Sequence, residues 1–344
     1  MVLLTQISYR TFLLRLRKIA KLALASYGLV QIEPKFVNYG GNGLYQIDVP
    51  ANKSIPQGTY ALRLHQPDYM RREYINSEMD WLSALNQEGI IVPKPVRNMD
   101  GNWLVVIDSG YDAPQPRTCT MVRWTRGRLM RKSIRSKHFY SLGKAIAKIH
   151  NQARSWKLPK GFVRPHWDWE GLYGDGFDYG FSAIRARETI PKKHQSAFND
   201  TLERIREAEV TMGKSRKSYG LIHADLAFGD NVAIQNGEAI PFDFDDCGYG
   251  YWLFDLGVVM AHYVLDTNSK SGMMQDALAK GYEEESTLEQ VDWEYLSLFT
   301  AARFAQLMFF YQGQVVRNPQ CQAEAESEIN ENAKHLKRIL KVMK

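Results

Sequence analysis

The dipeptide Asn236-Gly237 constrains this chain more than any other feature of its sequence. A two-residue type I′ turn needs positive φ at both positions, and Asn-Gly supplies it most readily. A hairpin folded there sets Gln235 opposite Glu238 and Asn231 opposite Phe242. Asn231 and Asp243 then meet at the open end of the hairpin, and Asp225 lies in the loop just ahead of it. Asp243 also opens the run Asp243-Phe244-Asp245-Asp246. Hard oxygen donors in this arrangement suit Mg²⁺, which takes one or two carboxylates together with substrate phosphates. A neighbouring free carboxylate can accept the proton of a hydroxyl. These are the components of phosphoryl transfer.

At 344 residues a single hydrophobic core stops growing, so two packed lobes are expected. The balance of 44 Lys and Arg against 38 Asp and Glu leaves a net charge of only +6. The densest cations, Arg10–Lys21 and Arg123–Lys137, read as solvated surface rather than a nucleic-acid face. No nucleic-acid partner is therefore expected, whereas a polyanionic small ligand such as a nucleotide suits the balance. None of the three cysteines, Cys119, Cys247 and Cys321, is spaced as a metal knuckle or a CxxC pair. That usage fits a reducing compartment.

Cations at Arg10, Arg15, Arg17, Lys18 and Lys21 interrupt every apolar run near the N-terminus, so no signal peptide is read there. No stretch approaches the roughly 20 apolar residues that span a bilayer, and a cytoplasmic protein is expected. Phe12, Leu16, Ala20, Ala23 and Tyr27 share one face of a helix. That face predicts a helix docked on its own lobe, with contact to an anionic membrane surface as the alternative.

Residues 36–49 read as two short strands around an Asn38–Gly43 turn, followed by a third strand, Thr59–His65. A helix is expected from Arg71 to Glu88, ending at Gly89. Trp103–Asp108 and Cys119–Trp124 read as further strands. Beyond Gly127 the pattern turns helical: 136–153, 195–212, Trp252–Asp266, Gln275–Tyr282, Trp293–Tyr311 and Ala323–Val342, with a β segment over Gly220–Asp243. The expected organisation is an N-terminal helix over 1–26, a β-rich N-lobe over 27–121, a hinge over 122–127 and a mostly helical C-lobe over 128–344.

Arg63 stands among alternating apolar residues in the third strand. Glu78 shares a helix face with Tyr74, Ile75, Leu82 and Leu85, whereas Glu73 lies with Ser77 and Asp80 on a face read as solvated. An acid on a buried face needs a partner, so an Arg63–Glu78 pair is expected.

The stretch His223-Ala224-Asp225-Leu226, the hairpin, Asp243-Phe244-Asp245 and the later Asp255-Leu256-Gly257 resemble the aminoglycoside phosphotransferase and choline kinase-like family. This family belongs to the protein-kinase-like superfamily. The segment Asp243–Gly250 is most similar to its stress-response and homoserine kinase-like branches. The resemblance implies an α+β, two-lobe kinase-like fold and ATP-dependent transfer of the γ-phosphoryl group to a hydroxyl, with ATP and Mg²⁺ bound. It makes Asp225 the catalytic base and Asn231 and Asp243 metal ligands, with Asp245 assisting. It places Gly40, Gly41, Asn42 and Gly43 in a phosphate loop, Arg63 and Glu78 at the nucleotide phosphates, and Met121 and Arg123 at the adenine. Arg126-Gly127-Arg128 matches the element that leaves the hinge.

Two positions depart from the family pattern. Arg63 stands where many members carry Lys, and counting from Asp225 favours Asp230 as metal ligand where counting from the hairpin favours Asn231. The implied acceptor is a small molecule of the amino alcohol, sugar or aminoglycoside type. A Ser/Thr protein kinase of the stress-response type and a non-catalytic nucleotide-binding pseudokinase are the alternatives. An acidic, aromatic insert with Trp167, Asp168, Trp169, Tyr173, Asp175, Asp178 and Tyr179 is read as a possible cage for a cationic or polyol acceptor. The acids Glu283-Glu284-Glu285 and those over Glu324–Glu331 would make a cleft acidic.

Overall fold

A computed structural model of the chain describes residues 8–51, 53–67, 69–108, 116–174, 187–188, 190–264, 271–286, 293–317 and 322–343. The chain divides into two compact units, Met1–Thr125 with Lys160–Val163, and Arg126–Pro159 with Arg164–Lys344. The return of Lys160–Val163 to the first unit has no counterpart in the contiguous lobes expected from sequence.

The first unit is built on one sheet. Helix α1 (Tyr9–Ala25) precedes β1 (Lys35–Gly40), β2 (Asn42–Val49) and β3 (Gly58–Leu64). Helix α2 (Arg72–Gln87), β4 (Pro95–Val96), β5 (Val105–Ile107) and β6 (Arg117–Arg123) follow. The strand order is β1-β2-β3-β6-β4, with β5 also on β6, and every pair is antiparallel. Strand β2 alternates buried and half-buried side chains along its whole length, the period of a sheet with one covered face. Phe12, Leu16, Ile19, Ala20, Ala23 and Leu24 of α1 supply that cover and pack with Tyr45, Ile47, Leu62, Leu64 and Met121. The apolar stripe of α1 is therefore buried in its own unit. Arg17 and Lys21 on the opposite face meet Glu33 at 2.8 and 2.6 Å. Among the described residues, no helix is long and apolar enough to cross a membrane.

The β1–β2 turn is tighter than the Asn38–Gly43 span read from sequence. Gly40 pairs directly with Asn42, and Gly41 alone turns the chain, at φ 101°. A side chain at this φ is strained, so glycine is required.

The second unit holds β7 (Arg128–Leu129), α3 (Ser136–Ser155), β8 (His166–Trp167), α4 (Trp169–Tyr173) and α5 (Lys192–Met212). Strands β9 (Tyr219–Ile222), β10 (Val232–Gln235), β11 (Glu238–Pro241) and β12 (Gly248–Tyr251) form its two small sheets, β11-β10-β7 and β8-β12-β9. Helices α6 (Trp252–Val264), α7 (Ser271–Glu285), α8 (Leu296–Arg317) and α9 (Gln322–Val342) complete it. Helices α3 and α7 touch backbone to backbone: a Cβ on Gly281 would lie 2.0 Å from the Tyr140 carbonyl oxygen, and one on Gly143 2.2 Å from that of Leu278. The two-residue strands and β12 escaped the sequence reading because they are too short to show a period.

Asp168 caps α4 by accepting from the Gly171 N–H at 3.0 Å, and Glu209 of α5 accepts from the Trp169 N–H at 3.0 Å. Burial pushes the Glu209 carboxyl up to about 8, and the nearby Asp168 charge adds to the rise. An unfolded Glu titrates near about 4.3. The stability contributed by this raised pKa is complete below the unfolded value and is lost as pH rises through the folded one. Glu209→Gln should therefore match the wild-type melting temperature near about pH 4 and exceed it near about pH 9. Parallel melting curves at the two pH values would refute this attribution.

Candidate active site

The loop that carries Asp225 is fixed from behind by Asp255 on α6. The Asp255 carboxylate is buried and accepts the His223 backbone N–H at 2.9 Å, the Ala224 N–H at 2.6 Å and His150 Nε2 at 3.0 Å. His150 is buried with it and uses its other ring nitrogen on the Tyr282 hydroxyl at 2.9 Å. Ala224 is held at φ 69°, a left-handed conformation that alanine rarely adopts. Such strain persists only where the surroundings over-determine it. Here two N–H groups on one buried carboxylate do so. His223 turns inward, its Nε2 3.1 Å from the Phe242 carbonyl, and ties the loop to the returning hairpin strand.

The hairpin forms as its turn dictates. Asn236 and Gly237 both have positive φ, 52° and 87°, Gln235 pairs with Glu238, and the Phe242 N–H donates to the Asn231 carbonyl at 2.9 Å. Asn231 is buried and reaches back into the loop: its Oδ1 accepts the Ala227 N–H at 2.6 Å, and its Nδ2 donates to Asp225 Oδ2 at 3.0 Å and to the Asp225 carbonyl. Asp230 turns outward instead, 62% exposed and paired with Arg131 at 3.2 Å. The structure thus brings Asn231, and not Asp230, to Asp225. Asp243 is exposed at the end of the hairpin at φ 63°, another left-handed non-glycine. Buried Arg164 donates to the carbonyls of Asp245, at 2.6 Å, and Cys247, and so fixes the segment that follows.

Among the described residues no group of three or more His, Cys, Asp and Glu side chains could hold a metal. A zinc-type cage is therefore not formed by them. The donors present at the hairpin mouth are carboxylate and amide oxygens, which fit a hard cation that relies on phosphate oxygens for the rest of its shell.

Sequence reasoning missed Arg303. This α8 residue donates through Nη2 to Asp225 Oδ1, and its side chain is 5% exposed. Its Nη1 donates to Gln306 Oε1 at 2.9 Å, and Nη2 lies 3.3 Å from His262 Nε2. Burial alone would raise the Asp225 carboxyl. The Arg303 guanidinium outweighs burial and holds it below the usual carboxylate range. Burial and the Arg303 charge push His262 down, so it meets the guanidinium as a neutral acceptor. Burial and the charges of Asp225 and Asp245 push Asp246 up. A signal was available: Arg303 is the only charged residue between Leu296 and Val316.

In the first unit Arg63 and Glu78 meet as expected, with Nη1 3.1 Å from Oε1 and 3.3 Å from Oε2. Glu78 is fully buried among Tyr74, Ile75, Leu82 and Leu85. The face of Ser77 and Asp80 is less solvated than read, because Ser77 accepts the Val163 N–H at 3.0 Å and Asp80 the Trp103 indole N–H at 2.7 Å. Gly40 and Gly43 flank the turn, and Asn42 Oδ1 accepts the Gln66 N–H at 2.8 Å. Met121 is buried in the sheet core. Arg123 lies over the Tyr60 ring, and its backbone N–H donates to the Lys94 carbonyl at 2.7 Å.

The described part of the aromatic insert packs inward and does not form an open cage. Trp167 and Tyr173 are buried, and their polar atoms donate to the carbonyls of Asp246 and Ala302, each at 2.7 Å. Asp168 is held by Lys214 at 2.9 Å and Tyr219 at 2.6 Å. Asp175, Asp178 and Tyr179 lie outside the described residues. Glu284 and Glu285 have their charges met by Lys144 at 2.9 and 3.1 Å.

The phosphotransferase enzyme family (APH) matches residues 53–296, and the chain belongs to it. Family membership makes the protein a kinase-type transferase enzyme with the protein-kinase-like fold. It is 26% identical over 284 residues to an amicoumacin kinase of Bacillus subtilis (strain 168), covering 78% of this chain and 76% of that protein. Among solved structures it resembles a microcompartment-associated aminopropanol kinase, at 26% identity and a TM-score of 0.78, over 95% of this chain and 98% of that one. It also resembles the amicoumacin kinase hAmiN in complex with AMP-PNP, Ca²⁺ and Ami, at 21% identity and a TM-score of 0.73, over 96% of each chain.

Asp255→Asn puts an amide donor against groups that already donate. The exchange should cost about 3 kcal/mol of stability, because a buried charge-assisted bond is lost and donors are left unmatched. Chemical denaturation checks this, and a midpoint equal to that of wild type would contradict the role assigned to Asp255.

Proposed function

We propose that this enzyme moves the γ-phosphoryl group of ATP to the hydroxyl of a small-molecule acceptor, with Mg²⁺ as the metal. The observation that carries the proposal is the Asp225 carboxylate, held by the Asn231 amide at 3.0 Å at the mouth of the hairpin whose returning strand leads into Asp243. The names of the similar kinases support a hydroxyl-bearing small molecule, and the AMP-PNP and Ca²⁺ of the hAmiN complex support a nucleotide with a divalent cation.

The acceptor hydroxyl aligns on Asp225, and its proton passes to a carboxylate oxygen as the acceptor oxygen bonds to the γ-phosphorus. The bond from that phosphorus to the β–γ bridging oxygen breaks, and its electron pair leaves with ADP. Asn231 and Asp243 would hold the metal, with Asp245 beside them and Asp230 turned away to Arg131. When bound, that ion stabilises the charge developing on the phosphates. Arg63, anchored by Glu78, offers the phosphates a planar two-pronged donor in place of the point charge of a lysine. Backbone N–H groups over Gly40–Gly43 would serve as donors to the phosphates, since glycine lets a chain approach closely. Met121 and Arg123 belong to the strand that would border the base, the Arg123 N–H itself being held by the Lys94 carbonyl. Buried thiols at Cys119 and Cys247, neither joined in a disulfide, fit a reducing, cytoplasmic setting.

The test is Mg-ATP-dependent ADP release with a panel of 1-amino-2-propanol, homoserine, choline, an aminoglycoside and casein. Turnover should follow one small molecule. Asp225→Asn should lower kcat at least about 100-fold while AMP-PNP still binds, as expected for loss of a general base. Asp243→Asn should lower activity and raise the Mg²⁺ concentration needed for half-maximal rate. Retention of activity by Asp225→Asn to within about tenfold would remove it from the chemistry. Turnover of casein alone would assign a protein kinase. AMP-PNP binding without transfer to any acceptor would assign a nucleotide-binding protein.

A further inference from the structure

Arg303 is a buried cation to which phosphotransfer as derived above gives no task. Placing a guanidinium on the apolar face of α8 carries a desolvation cost. Its Nε also lacks a hydrogen-bond partner among the described residues, so the group is not placed to satisfy its own donors. What the placement does achieve is contact with the base. Asp225 Oδ2 takes the Asn231 amide at 3.0 Å, and Oδ1 takes Arg303 Nη2. The two donors come from separate elements, the hairpin and α8, and grip one oxygen each. Together they fix the plane of the carboxylate.

The guanidinium is itself aimed. Gln306, one turn along α8, accepts Nη1 at 2.9 Å, and His262 of α6 lies 3.3 Å from Nη2. We propose that Arg303 is a positioning residue for phosphotransfer, which holds the Asp225 carboxylate in the orientation that receives the acceptor hydroxyl. The proposal rests on the reading of Asp225 as base. Its consequence is kinetic: a reacting group displaced by about 1 Å loses on the order of 100-fold in rate while substrate binding is kept. An arginine that bound the acceptor directly would act through KM instead.

The test compares Arg303→Met, Arg303→Lys, Asp225→Asn and the Arg303→Met/Asp225→Asn double variant of the full chain. Rates are read as ADP release with every acceptor of the panel above and with water, and nucleotide binding as AMP-PNP titration. Arg303→Met should lower kcat about 100-fold, with KM for ATP and AMP-PNP affinity within about twofold of wild type. Arg303→Lys should recover about tenfold of that loss, because a cation returns without the planar fork. In the Asp225→Asn background the Met substitution should lower the rate by less than about threefold, since residues that act as a unit are not additive.

If Arg303→Met fails to fold, Gln306→Leu removes only the aim. It should lower kcat about tenfold, with the same lack of additivity. A kcat for Arg303→Met within about fivefold of wild type, a loss confined to acceptor KM, or a full multiplicative loss on top of Asp225→Asn would each overturn the assignment. A wild-type protein that transfers to none of these acceptors, water included, overturns the phosphotransfer reading and this assignment together. Wild-type turnover with an unaffected Arg303→Met overturns the assignment alone.

Discussion

The second unit depends on one buried carboxylate. Asp255 is buried away from bulk solvent and takes its donors from the protein: two consecutive backbone N–H groups and a histidine. Those N–H groups belong to the residues just before Asp225. Satisfying Asp255 therefore forces the loop into a left-handed step at Ala224, and that step directs Asp225 toward the hairpin mouth. Helix α3 joins the arrangement through His150, and α7 through Tyr282. An interior hydrogen bond to a charged group is strong because the alternative is an uncompensated charge. The reactive loop inherits its shape from that requirement.

Charge matching runs through both units. In the first, a fully buried Glu78 is answered by Arg63. In the second, the acids Asp243, Asp245 and Asp246 crowd one stretch of chain, Asp225 acts on Asp246 from the preceding loop, and Arg303 stands against Asp225 from a distant helix. Like charges held this close resist ionising together. The cation and the raised Asp246 divide that burden, which leaves Asp225 ionised and able to accept a proton.

Local patterning carried most of the fold. Helices α2 and α3 fall within a few residues of their apolar periods, because both bury one face and solvate the other. The hairpin was legible to the residue, since its turn has only one good solution for Asn-Gly. The Arg63–Glu78 pair was legible because an acid on a buried face demands a partner. The same logic applied to Arg303 in an apolar helix would have called for a partner, but nothing local says that the partner is Asp225, far away in sequence. Trp167 and Tyr173 show the opposite limit. Their composition suggested a surface that receives a ligand, whereas their polar atoms are taken up by carbonyls brought near only by the tertiary fold.

The hairpin turn has one consequence that reaches beyond folding. An asparagine followed by glycine is the pair most prone to cyclise to a succinimide, which reopens mainly as isoaspartate and lengthens the backbone by one carbon. Asn236 and Gly237 are both exposed at the tip of the hairpin. The left-handed geometry of the intact turn keeps the Gly237 nitrogen on a fixed path and slows the cyclisation, but each opening of the tip restarts it. An isoaspartate there cannot close a two-residue type I′ turn, so the strands would lose their register at the end remote from Asn231 and Asp243. Chemical ageing at this turn would thus strike the element that aligns the reactive groups, with no oxidant or protease required.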